Sequence, residues 1–320
     1  MAPTGILLTA YGGPDTLDAV GPFMCNLMGR ESSPEVISRV QAKYELIGGC
    51  SPLPLRAAEI ASALQERLAE LGNEVEVRVG MRYWGVTIAE SLDALVSDGA
   101  SRIVQVSLSP FESAITSGAY RGAVEAAAEG HPSVEIVEAA SFSDAEGFVS
   151  ALAEAAVVAR KALVAQRPLV VFSAHSLPVA DAVADPRYVD QLRATAVAVA
   201  SRAGLPEADG EVEALPGIVA FGHVGDQPWL FSYQSRGMAP GAWLDPQIED
   251  VLDAAGAAGF DGVAVCPIGF GTDHMETLYD LDIVAAERAA GDGLAFTRAS
   301  VPNASPGMIE ALVSRVTPLL

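Results

Sequence analysis

Short apolar runs of strand length alternate along the chain with longer segments in which Ala, Leu and Val recur at helical spacing among Glu and Arg. The first set predicts strands near 5–11 (GILLTAY), 74–80, 102–109 and 134–139, with helices near 55–71, 87–98, 115–129 and 145–165. A second set predicts strands near 169–174 (LVVFSA), 229–234, 262–268 and 294–299, with helices near 186–203, 246–258 and 276–290. Alternation of this kind marks βαβ units around a parallel sheet. GILLTAY with its Gly/Pro turn is echoed by LVVFSAH with Ser-Leu-Pro, so the chain reads as a duplicated four-strand α/β unit spanning 1–165 and 166–305. A last helix near 306–319 closes the chain over 306–320. Residues 204–228, rich in Gly, Pro and acids, are too long for an ordinary connection and read as an insertion or a lid.

Composition narrows the class. The chain has 320 residues, 50% hydrophobic and 19% charged, which excludes disorder and suits about two domains. A formal charge of -22 removes the attraction to phosphate backbones, so no nucleic-acid partner is expected. No Lys or Arg precedes the first apolar stretch, and no apolar run reaches the roughly 18 residues of a membrane span. A cytoplasmic protein with no integral membrane segment is expected. Cys25, Cys50 and Cys266 lie far apart with no C-x-x-C pair, so neither a zinc ribbon nor an iron–sulfur pattern is present.

Parallel sheets place ligand chemistry beyond the carboxyl ends of their strands. Those ends carry Tyr11-Gly12-Gly13-Pro14, Ser109-Pro110, His175-Ser176-Leu177-Pro178, Gln234-Ser235-Arg236 and the run from Phe270 to Glu276. His175 leaves an apolar strand directly before a proline loop, where an imidazole suits a base or a metal ligand as well as a bond to a nearby carbonyl. In GFGTDHMETLYDLD, Asp273 and Glu276 have the spacing of a helix capping box. Capping leaves His274 unexplained, and also Asp280, one helical turn beyond Glu276. Carboxylates in line behind a histidine suit proton transfer or a divalent cation. Nitrogen and oxygen ligands together suit a transiently held Fe(II), Co(II) or Zn(II), handled as substrate. No G-x-G-x-x-G or G-K-[ST] supports nucleotide binding. Trp243, Phe270, Tyr83, Trp84 and Tyr120 are candidates for a flat apolar pocket or for ordinary core. Arg30, Lys43, Arg82, Arg121 and Arg236 are candidates for ligand carboxylates or for surface pairing.

Six strings in order, LLTAYGGPDTLDAVGPFM, KYELIGGCSPL, VGMRYW, VFSAHSLP, YQSRG with AWLDPQ, and PIGFGTDHMETLYDLDI, together resemble the ferrochelatase family over essentially the whole chain. The resemblance implies two similar Rossmann-like α/β domains, each with a four-stranded parallel sheet flanked by helices, with a porphyrin cleft between them. It implies insertion of Fe(II) into a porphyrin in haem biosynthesis, by a lyase. On matching positions, His175 is implied to bind the metal and take a pyrrole proton, with Glu276 opposite it as the second metal residue. Asp273 and His274 match the supporting polar network, and Asp280 the acidic line behind the site. Tyr11 sits where coproporphyrin-type members with an AYG motif carry a tyrosine able to ligate product iron. Lys43, Tyr44, Ser51 and Tyr120 match porphyrin-contacting positions, and Trp243 and Phe270 match aromatic pocket walls. Fe(II) and the porphyrin, coproporphyrin III ahead of protoporphyrin IX, are the implied partners. No permanently bound cofactor and no iron–sulfur cluster are expected, because the chain ends at Leu320, soon after PNASP. A monomer is expected. Val284 interrupts the acidic line that some members extend, and His223 in the 204–228 insertion has no counterpart. A cobalt or nickel chelatase acting on a sirohydrochlorin-like ring, and a non-catalytic haem or porphyrin carrier, stand as alternatives.

Overall fold

The structure is a computed structural model describing residues 3–237 and 240–320. Ten strands are present among the described residues: β1 (Thr4–Ala10), β2 (Glu76–Met81), β3 (Arg102–Ser107), β4 (Glu135–Glu138), β5 (Pro168–His175), β6 (Gly210–Leu215), β7 (Ile218–His223), β8 (Trp229–Gln234), β9 (Gly262–Cys266) and β10 (Ala295–Arg298). They form a four-stranded sheet in the order β2-β1-β3-β4, parallel throughout, and a six-stranded sheet in the order β10-β9-β5-β8-β7-β6. In the second sheet β10, β9, β5 and β8 are parallel, the arrangement the sequence pattern predicts.

The antiparallel hairpin β6–β7 extends the second sheet through its pairing with β8. The 204–228 stretch therefore includes two strands, β7 paired on both sides and β6 at the sheet edge, where the sequence reading has an insertion or a lid. Alternating Glu and Val or Ala in GEVEAL carries the period-two signal, obscured by the surrounding Gly and Pro.

The chain divides into two compact units. The first comprises 1–142, 272–275 and 303–320, and the second 143–271 and 276–302. This differs from the expected division at 165/166. The helix Glu146–Ala162 packs against β9, β10 and the helix Arg187–Arg202, which assigns it to the second unit. The closing helix Pro306–Val316 is not a separate element either, because it packs on the helix Leu53–Glu70 and on β3 of the first unit.

Two early helices, Val20–Met28 and Pro34–Leu46, fall where the sequence reading places none. Gly21 and Pro22 look like breakers, but a proline in the first helical turn costs no internal hydrogen bond. Pro34 is the first helical residue, directly behind the cap Ser33, whose hydroxyl accepts from the Val36 amide. Val20, Phe23, Met24 and Tyr44 from these helices bury a satellite core, with Tyr83, Trp84 and Met275 packed on it.

Candidate metal and proton-transfer site

The second unit brings together what its strand ends promised. His175 is the last residue of β5 and lies in register with Gln234, the last residue of β8. The apolar run Leu169–Phe172 buries β5 almost completely, and the chain then emerges at the half-buried His175. The His175 Nε2 lies 3.2 Å from Oε1 of Glu276. Its Nδ1 bonds to the carbonyl of Ser176, which makes Nδ1 the donor and aims Nε2 at the carboxylate. Burial works against the charged imidazolium, but the charge and hydrogen bond of Glu276, the Ser176 carbonyl and the Asp280 charge outweigh it. The His175 pKa is pushed up to about 9. At neutral pH the pair is therefore imidazolium and carboxylate, sharing a proton that a divalent cation would have to displace.

The loop after His175 is pinned on both sides. Ser176 N–H donates to the Gln234 carbonyl at 2.8 Å, and Ser176 Oγ donates to the Leu244 carbonyl at 2.9 Å. Pro178 bridges to Trp243, and the buried Tyr188 donates its hydroxyl to the His175 carbonyl at 2.9 Å. Burial pushes the Tyr188 phenol upward, so it stays a neutral donor. Trp243 is half-buried beside this loop and Phe270 is buried after β9. Gly269, before Phe270, packs so closely on Ala174 that a side chain there would collide with it.

Glu276 is the second residue of a short helix, Met275–Leu278, followed by a π-helical turn, Asp280–Ala285, and then the helix Ala286–Gly291. The sequence reading has one regular helix here. In the π-turn, Val284 N–H reaches back five residues to the Tyr279 carbonyl at 3.0 Å, so one extra residue is accommodated. Both following acids find partners. Asp280 Oδ2 accepts from Ser235 Oγ at 2.5 Å, and Asp282 accepts two bonds from Arg298 at 2.5 and 2.8 Å.

The first unit carries the remaining candidates. Tyr11 follows β1 and is 38% exposed, its ring edge-on to Tyr83 at 4.7 Å and to Phe23 at 6.4 Å between centroids. Gly12 has φ of 89°, and a side chain on it would strike the Trp84 carbonyl. Gly13 lies against Ser51, whose amide donates to the Pro14 carbonyl at 2.7 Å. Ser51, Tyr44 and Tyr120 are buried, Tyr44 inside the satellite core, whereas Lys43 is half-exposed in the last turn of its helix. Asp273 and Asn303 clasp each other, the Asn303 amide donating to Asp273 Oδ2 at 2.8 Å and its Oδ1 accepting from the Asp273 amide at 2.9 Å. His274 directly precedes the short helix at Met275, the position at which the capping-box reading has Asp273. Arg121 is held by Glu138 through bonds of 2.6 and 2.9 Å, the surface pairing weighed for it.

The sequence reading names Gln234 and Ser235 only as part of a strand end and gives them no role, and it does not name Tyr188. The first two stand at a predicted strand end, and that position is the signal that marks them. Cys25, Cys50 and Cys266 are free thiols, and burial pushes Cys266 up to about 12. Among the described residues no group of three or more His, Cys, Asp or Glu is placed to hold a metal, and no helix is long and apolar enough to cross a membrane.

Comparison with known proteins shows what the whole chain is similar to. The family model described as ferrochelatase matches residues 3–319. A ferrochelatase of Deinococcus radiodurans is 31% identical over 317 residues, covering 98% of this chain and 94% of its own. A coproporphyrin III ferrochelatase of Mycolicibacterium vanbaalenii is 32% identical over 335 residues, covering 100% of this chain and 91% of its own. That of Halalkalibacterium halodurans is 30% identical, covering 97% of this chain and 95% of its own. Among solved structures, the cobalt-bound sirohydrochlorin chelatase of Bacillus subtilis subspecies spizizenii is similar with a TM-score of 0.57 at 14% identity, covering 98% of this chain and 94% of its own. At that identity the likeness is one of fold alone.

Proposed function

The chain belongs to the ferrochelatase family, and from that premise we propose that His175, Glu276 and Asp280 carry out its insertion of Fe(II) into a porphyrin of haem biosynthesis. The observation that carries the reading is the 3.2 Å approach of His175 Nε2 to Glu276 Oε1, with Asp280 held behind through Ser235. Insertion exchanges the two central N–H protons of the free-base ring for one Fe(II), so the site must deliver a dication and remove protons. His175 and Glu276 offer one nitrogen and one oxygen. So small a ligand set suits an ion that is handed on rather than stored. When the shared proton passes to the carboxylate side and out through Asp280 to solvent, Nε2 is free to take one pyrrole proton, which leaves by the same route before Nε2 takes the second.

Tyr11, the half-exposed residue of the AYGGP loop, is proposed as a porphyrin contact able to ligate product iron, and it favours coproporphyrin III over protoporphyrin IX. Relatives named coproporphyrin III ferrochelatase support that preference. Lys43 and Trp243 are proposed to contact the ring or its carboxylates. Buried Tyr44, Ser51 and Tyr120 are proposed to shape the loops that do so, with Phe270 as a pocket wall and Asp273 and His274 as supporting groups. The reaction is assigned to the cytoplasm, with no nucleic-acid partner, and to a monomeric chain. Changing His175 to Ala tests the reading: insertion falls to the no-protein background while porphyrin binding, followed by quenching of free-base fluorescence, persists. Normal turnover in that variant would remove His175 from the reaction.

A further inference from the structure

Gln234 is fully buried, and no role in the reaction follows from the residues so far assigned. Its Oε1 accepts from Ser173 Oγ at 2.8 Å, and its Nε2 donates to the carbonyl of Glu276 at 2.9 Å. Ser173 stands two residues before His175 on β5, on the same face of the strand. One amide side chain therefore joins the strand that presents His175 to the first turn of the helix that presents Glu276. The next residue does the same for the other acid. Ser235 has φ of 58°, a left-handed conformation that is strained for a serine. In that conformation its Oγ reaches Asp280 Oδ2 at 2.5 Å.

We propose that Gln234 and Ser235 are positioning residues for metal insertion, Gln234 setting the separation of His175 and Glu276 through its bonds to Ser173 and to the Glu276 carbonyl, and Ser235 fixing the Asp280 carboxylate behind them. The proposal rests on the assignment of His175 and Glu276 above. Gln234→Leu removes both of these bonds, and a longer one from Nε2 to Ser235 Oγ at 3.4 Å, at similar volume. Gln234→Glu retains the acceptor for Ser173 but, ionised, has no donor for the Glu276 carbonyl. Ser235→Gly suits the backbone conformation and removes the hydroxyl, with its bond to Asp280 and the longer contact from Gln234, while the Gln234 bonds to Ser173 and Glu276 remain.

Two readouts separate positioning from simple stability: equilibrium binding of Co(II) alone, without porphyrin, and the Michaelis constants for metal and porphyrin measured separately on folded protein. Gln234→Leu and Gln234→Glu are expected to weaken Co(II) binding and raise the metal KM about ten- to a hundredfold, as loss of groups that orient metal ligands does elsewhere, with the porphyrin KM unchanged. Ser235→Gly is expected to lower kcat with Co(II) affinity and melting temperature retained. If Gln234→Leu fails to fold, Ser173→Ala, which releases one end of the strap, is expected to give the same metal-specific loss in milder form. Unchanged Co(II) affinity in Gln234→Glu or Ser173→Ala, or losses that follow melting temperature and affect both substrates equally, would overturn the proposal. If the unaltered protein binds Co(II) and these variants bind it more weakly, yet no variant or parent inserts metal, the assignment of the reaction fails and the positioning role stands.

Discussion

At the scale of single residues, the pair His175 and Glu276 sets a pH dependence whose sign is fixed by the geometry. The folded pKa of His175 lies at about 9, above its ordinary 6.5. Its stabilising contribution is therefore complete below about pH 6.5 and is lost as the pH rises through about 9. Denaturant unfolding at a series of pH values should show stability declining over that interval, and Glu276→Gln should flatten the decline. A slope unaffected by the substitution would mean that some other group titrates there. Tyr11 makes a second prediction at this scale: Tyr11→Phe should change the visible absorbance of bound ferric product while leaving the melting temperature nearly unaltered, and an unchanged spectrum would argue against axial ligation. His175, Glu276 and Asp280 were legible in the sequence because chemistry-bearing residues at strand ends and one turn apart on a helix stand out. Gln234 was legible as a strand-end residue but its role was not, because a buried amide is informative only once its partners are known.

At the scale of elements, the eight strands of the duplicated pattern and the helices between them follow from hydrophobic periodicity. The elements that departed from it carry punctuation that periodicity cannot read. Gly21 and Pro22 disguise the helix Val20–Met28, and the hairpin β6–β7 is hidden among glycines. The π-turn after Glu276 leaves no apolar signature, since one inserted residue changes the facing of two acids without changing composition. The loop after β1 is where an element and its function meet. Gly12 takes φ of 89° against the Trp84 carbonyl, and the neighbouring Tyr11 depends on that path. Gly12→Ala should cost at least the roughly 1–2 kcal/mol of forcing an L residue into left-handed backbone, with a further penalty from the collision. It should also weaken porphyrin binding more than it weakens Co(II) binding, because His175 and Glu276 belong to the other unit. Equal losses for the two ligands would show that the loop does not serve the ring specifically.

At the scale of the whole molecule, duplication was readable and the division was not. A chain that returns to its first unit at 272–275 and 303–320 has no linker of distinctive composition to mark the crossing. The acidic balance, 41 Asp and Glu against 19 Lys and Arg, argues against nucleic acid and leaves few cations for porphyrin carboxylates, so under the proposed function the choice of ring falls to particular residues such as Tyr11 and Lys43. The most direct measurement is anaerobic turnover of the purified chain with Fe(II) and, separately, coproporphyrin III and protoporphyrin IX, following loss of free-base fluorescence and growth of the metalloporphyrin Soret band. The account predicts turnover above the no-protein control, with the larger kcat/KM for coproporphyrin III. Tight binding of either ring without metal insertion would contradict it.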